Sequence, residues 1–206
     1  MKTMFRNHRS VALSISALLM VAASPALAHA HPIDLSAEGF KSGLLHPVFG
    51  LDHFLAMLSV GIVSAQLGRE RIWTVPGMFV LAMIVGAIFG IEHQAWPFAE
   101  AGIACSMIGL GIAIATVTER VNSWPVLAMV AVFGSLHGHA HGVELPKAAD
   151  PIYYAAGFLT STIIIHLLGV SIGHLFTKKW ALDVPLRHLG SGIAGMGLMF
   201  LKLATW

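Results

Sequence analysis

The chain has 206 residues, of which 56% are hydrophobic and 11% charged, with a formal net charge of +2 and a mean hydropathy of +0.78. Soluble globular domains carry about 25% charged residues, so this composition excludes a water-surrounded domain, and its few scattered cations exclude a nucleic-acid surface. The single cysteine, Cys105, excludes an intramolecular disulfide.

In chain order, residues 1–28 predict a cleavable secretory signal. Lys2, Arg6 and Arg9 give a positive start, Val11 to Ala23 an apolar core, and Ala26-Leu27-Ala28 a small-x-small cleavage site. Six apolar segments follow, at about 43–66, 72–91, 97–117, 124–143, 151–175 and 186–206. Each has the roughly 20 residues that a helix needs to cross the hydrocarbon. The breaks between them are short and carry Pro or charge, leaving no room for a soluble domain. The expected fold is therefore all-α, an integral membrane bundle of six transmembrane helices over residues 29–206. A cleaved signal places the mature N-terminus outside the cytoplasmic membrane, and six crossings return the C-terminus to the same side. The inner loops then hold Arg69, Arg71, Arg120, Lys178, Lys179 and Arg187, against Lys41, Lys147 and Lys202 outside. That asymmetry obeys the positive-inside bias.

Small residues recur at four-residue spacing. Gly134, Gly138 and Gly142 form one row on the fourth segment, and Gly86 and Gly90 a shorter one on the second. Such rows let helix backbones approach closely.

Ionisable residues inside spans are costly and point to function. The first segment reads HPVFGLDHFLAM. As one continuous helix it places His46 and His53 on one face two turns apart, with Asp52 turned about 100° away. Met57 follows His53 by one turn and reads as packing. The fourth segment ends in HGHAHGVE, where His137, His141 and Glu144 share a face. His139 projects to the other side, toward a neighbouring helix. Glu92, His93 and Glu100 fall on the outer side between the second and third helices, where Glu92 and His93 also suit a solvated loop. His166 lies near mid-depth on the fifth segment and His174 toward its inner end. A lone buried histidine ordinarily bonds a nearby carbonyl; that is the plain reading of His174, and for His166 it stands beside a path role.

Imidazole and carboxylate together suit a borderline divalent transition metal, whereas Mg²⁺ and Ca²⁺ prefer oxygen shells. Residues of this kind on two helices can replace a hydration shell within the membrane.

At these residues the chain resembles the HupE/UreJ family of nickel permeases. The likeness rests on His-x5-Asp-His at His46 to His53, continued by AMLSVG, and on HGHAHGxE at His137 to Glu144. The signal and the six segments extend it over essentially the whole chain. It implies a secondary permease for Ni²⁺ or Co²⁺ in the inner membrane, not an enzyme. It also implies no permanently bound cofactor and a functional link to hydrogenase or urease maturation. The metal-handling residues implied are His46, Asp52, His53, His137, His139, His141 and Glu144.

In the expected route, His46 and Glu144 partly dehydrate the ion at the outer mouth. Asp52, His53, His137 and His141 receive it near mid-depth, and His166 is a further step. Cleavage after Ala28 would add a capture site at the new terminus. The free amine, two backbone amides and a histidine of His29-Ala30-His31 form a square-planar nitrogen set for Ni²⁺. Cleavage after Ala30 would instead leave His31-Pro32, which lacks the amide. No GxxxxGK[ST] motif is present for ATP, and the membrane potential gives a divalent cation about twice 2.3 kcal/mol per 100 mV. Two alternatives remain. One is a haem-binding electron-transfer subunit, against which the accompanying carboxylates weigh. The other is an intramembrane metal-dependent hydrolase, for which no HExxH is found.

Overall fold

The computed structural model describes residues 35–92, 96, 98–145, 150–179 and 183–205. The expected signal peptide, His29, His31 and His93 lie outside the described residues. The regular elements among the described residues are all helical. They are α1 (Leu35–Phe49), α2 (Leu51–Gln66), a 3-10 turn (Arg69–Arg71), α3 (Thr74–Glu92), α4 (Ala99–Thr116), α5 (Trp124–Glu144), α6 (Pro151–His174), a π turn (Leu175–Lys179) and α7 (Asp183–Ala204).

Four of these stretches are long and apolar enough to cross a membrane: Arg69–Ile91, Ala99–Thr116, Trp124–Val143 and Pro151–Thr177. Their outward faces are apolar: Leu81, Val85, Ile88 and Phe89 on α3 and Ile163, Ile164, Leu167 and Leu168 on α6 are all exposed. A soluble protein rarely shows so continuous an apolar surface. His53, His137, His139, His141 and His166, by contrast, are buried. The chain is a multi-pass helical membrane protein.

One expectation about the spans needs correcting. The first apolar segment is not one continuous helix. It is a pair, Glu38–Phe49 and Leu51–Gln66, bent by 77°. Pro47, within α1, has no N–H to give the carbonyl one turn back, and Gly50 then takes an extended conformation (φ −75°, ψ 97°). The sixth segment forms a helix, α7, which falls short of the apolar criterion that the other four meet. Only one stripe of it is buried, Leu186, Gly190, Ile193 and Gly197, and its other faces carry Asp183, Arg187, His188 and Lys202.

Glycine sets how the helices pair. A Cβ on Gly138 would strike the Met83 carbonyl, one on Gly142 the Ala87 carbonyl, and one on Gly86 the Ser135 carbonyl, so α3 and α5 lie backbone against backbone. The expected glycine rows are therefore packing surfaces. Gly43 and Gly157 do the same between α1 and α6, Gly61 and Gly169 between α2 and α6, and Gly111 and Gly190 between α4 and α7. Without a hydrophobic drive between helices in lipid, such close approach supplies the van der Waals contact that holds them. α6 starts at Asp150, whose carboxylate accepts from the Ile152 and Tyr153 amides at 3.2 Å and caps the helix.

Candidate metal site

The bend at Gly50 builds the site. His46 lies in the last turn of α1, and Asp52 and His53 in the first turn of α2. The Gly50 amide still donates to the His46 carbonyl at 3.0 Å, and the Phe54 amide to the Gly50 carbonyl at 2.8 Å. The chain thus turns with both backbone groups of Gly50 satisfied. In a straight helix two turns would separate His46 from His53 by about 10 Å along the axis. Here their ring centroids are 5.6 Å apart. The expected two-turn separation in depth is replaced by a single cluster.

α5 supplies the third imidazole. His141 lies 4.8 Å from His46 and 4.7 Å from His53, centroid to centroid. One ligand nitrogen from each of His46, His53 and His141 falls within 4.8 Å of the others. Metal–nitrogen bonds of about 2.0–2.1 Å require only a small inward closure of such a set. Phe158 (4.3 Å from His141) and Tyr154 (6.1 Å from His46), both buried on α6, form an aromatic wall.

The remaining motif residues have distinct places. Asp52 Oδ1 accepts from His53 Nδ1 at 2.8 Å and from the His53 amide at 2.9 Å. An ionised carboxylate only accepts, so Nδ1 carries the proton and the Nε2 lone pair is left for a ligand. Nε2 is buried and has no hydrogen-bond partner. A carboxylate behind a histidine in this way orients it and raises its basicity. His137 is held alike: its Nδ1 meets the Phe133 carbonyl at 2.9 Å, and its buried Nε2 is unpartnered. Its ring lies 5.3 Å from His53, next to the three-histidine set. His139 faces elsewhere and stacks on Trp96 at 4.0 Å, 19° from coplanar. Glu144 ends α5 and Glu92 ends α3, but their side chains are outside the described residues. Glu100 is exposed in the first turn of α4, and His174 is exposed on α6. His166 is 2% exposed, with its ring 5.2 Å from that of Phe79.

Phe79, Tyr154, Phe158 and Trp96 were not expected at the site. For two of them a signal exists: Tyr154, Phe158, Thr162 and His166 recur every four residues on the fifth apolar segment, one helix face that carries a histidine. Trp96 and Phe79 give no comparable signal.

At the other end of α2, Gln66 lines a cavity of about 500 Å³ together with Glu119, Arg120, Thr177, Asp183 and Arg187. Gln66 Nε2 donates to the Ile114 carbonyl at 2.9 Å, and its buried Oε1 is unpartnered. α2 therefore connects a histidine cluster to a polar cavity about 20 Å along its axis.

Three imidazoles converging on one small volume, two of them buried and His46 half-buried, can bind a divalent transition metal. A bis-histidine haem would need an apolar slot between facing ligands, whereas these rings pack edge to face on one another. The family described as HupE / UreJ protein matches residues 17–200. Protein HupE of Rhizobium leguminosarum bv. viciae is 41% identical over 188 residues, covering 91% of this chain and 96% of that protein. No solved structure matches the chain.

Proposed function

The chain belongs to the HupE/UreJ family, and we propose that it is a permease that takes up Ni²⁺, or Co²⁺, across the cytoplasmic membrane. The family is one of transporters associated with nickel and cobalt. The observation that carries the reading is the convergence of His46, His53 and His141 within 4.8 Å. His46, His53 and His141 hold the ion, with Asp52 fixing His53 and His137 next in line. Glu144 and His139 remain expected contributors from the motif, and Glu92, His93, Glu100, His29 and His31 expected contributors at the outer mouth.

Transport needs binding strong enough to strip water and weak enough to release. Three imidazoles spaced slightly wider than a bonded set suit that compromise better than a closed cage with thiolates. Inward movement of a divalent cation down the membrane potential is favourable by about twice 2.3 kcal/mol per 100 mV. The family name joins hydrogenase-associated and urease-associated proteins, and we place this one upstream of such a nickel enzyme.

The test is ⁶³Ni²⁺ uptake in cells lacking other nickel importers, with Co²⁺ as competitor and expression verified. The intact protein should support uptake, and His53→Ala and His137→Ala should each reduce it more than tenfold. A well-expressed intact protein that moves neither metal would overturn the reading.

A further inference from the structure

His166 has no role in the outer site, yet it is placed beyond it on the same helix. On α6, Tyr154 and Phe158 wall the three-histidine cluster, and Thr177, in the π turn that continues α6, lines the polar cavity at the other end. His166 stands between them, about 12 Å past Phe158 and about 16 Å before Thr177 at 1.5 Å per residue. Buried histidines ordinarily bond a nearby carbonyl or hydroxyl. This one does not: Nδ1 and Nε2 are both buried and both without a hydrogen-bond partner. An orphaned polar group in the interior is costly, and packing alone would be better served by leucine.

Its position is fixed by backbone contact. A Cβ on Gly61 of α2 would strike the His166 carbonyl, so α2 and α6 are closest at that level. Between this histidine and the outer cluster stands one ring. Phe79 of α3 is fully buried, 5.5 Å from His137 and 5.2 Å from His166, centroid to centroid. His137 presents an unpartnered Nε2, and so does His166.

We propose that His166 is a second metal station, reached from His137, and that the Phe79 ring is the gate between the two. This rests on the transport reading above. The outer cluster takes the ion, Phe79 keeps it from the inner half, and rotation of the phenyl ring hands it to the imidazole of His166. From there the polar cavity lined by Gln66 and Glu119 is the exit.

The test uses the full chain in nanodiscs for Ni²⁺ binding by equilibrium dialysis, and in proteoliposomes for Ni²⁺ influx reported by an internal indicator. His166→Leu, His166→Gln and Phe79→Leu are compared with the intact protein. His166→Leu should melt at the same temperature or higher, keep the outer cluster's Ni²⁺ affinity within about twofold of the intact protein's and lose at least tenfold in influx. His166→Gln, which keeps a ligand oxygen, should retain an intermediate rate. Phe79→Leu should bind normally and raise influx at least threefold. Folded His166 variants with intact influx, or with binding and influx lost in parallel, would overturn the station. Phe79→Leu with unchanged or lowered influx would overturn the gate. An intact protein that neither binds nor moves Ni²⁺ would instead overturn the transport reading itself.

Discussion

Asp52 illustrates how one side chain can matter to a metal site without touching the metal. Its Oδ1 holds both the ring and the amide of His53. Removing it leaves His53 free to rotate and to adopt the tautomer that presents the wrong nitrogen. Orienting carboxylates of this sort are worth about 10–100-fold in metal affinity. Asp52→Ala should therefore weaken Ni²⁺ binding by about that factor in equilibrium dialysis. Asp52→Asn keeps an acceptor oxygen but loses the charge, and should fall between Ala and the intact protein. Equal affinity in all three would remove Asp52 from the site. The identity of the histidines was readable from the two motifs, because imidazoles inside apolar runs are expensive and so conspicuous. Their grouping was not. His46 and His53 meet only because Pro47 and Gly50 break the helix, and neither residue by itself announces a 77° bend.

Among whole helices, the legible feature was the glycine spacing, since rows at four-residue intervals have one common use in lipid. α3 and α5 approach so closely that added methyl groups have nowhere to go. Gly138→Ala would place Cβ against the Met83 carbonyl, which as backbone cannot yield without moving α3. Overpacking of this kind costs about 1–3 kcal/mol. The variant should melt lower and fold in lower yield in thermal-shift and size-exclusion measurements. Gly192 on α7 supplies the control, because a Cβ there meets nothing within 4 Å. Gly192→Ala should be neutral or slightly stabilising, given the helix preference of alanine over glycine of up to about 1 kcal/mol. If both substitutions behave alike, close backbone approach is not what holds α3 to α5. α7 itself shows where hydropathy misleads. Its polar residues lower its average, yet its buried stripe of Leu186, Gly190, Ile193 and Gly197 includes two glycines that pack on α4, less tightly than the glycines of α3 and α5 pack on each other.

For the whole molecule, the glycine contacts also give the direction of each helix. On α3 and α5, Phe79 pairs with Gly134, Met83 with Gly138 and Ala87 with Gly142, so the two run parallel. α6 runs parallel to the broken pair: Gly43 of α1 meets Tyr154, and further on Gly61 of α2 meets His166. α4 and α7 are antiparallel, with Gly111 against Gly190 and Ile108 against Gly197. A chain that crosses a membrane six times must alternate, so its first and fifth crossings agree, its second and fourth agree, and its third and sixth oppose. All three pairings satisfy that rule if α1 and α2 together make the first crossing and α7 makes the sixth. At 22 residues α7 is about 33 Å long, enough to pass through beside α4, which shields its buried stripe from lipid. With the positive-inside bias, such an arrangement would put the C-terminus outside. Alkaline phosphatase fused after Thr205 should then be active and green fluorescent protein dark, with the reverse pattern for fusions in the loop at Arg120. A C-terminal fusion that is fluorescent and lacks phosphatase activity would mean that α7 stays on the inner face. The polar cavity bounded by Asp183 and Arg187 would still open inward, but the expected six-span topology would fail.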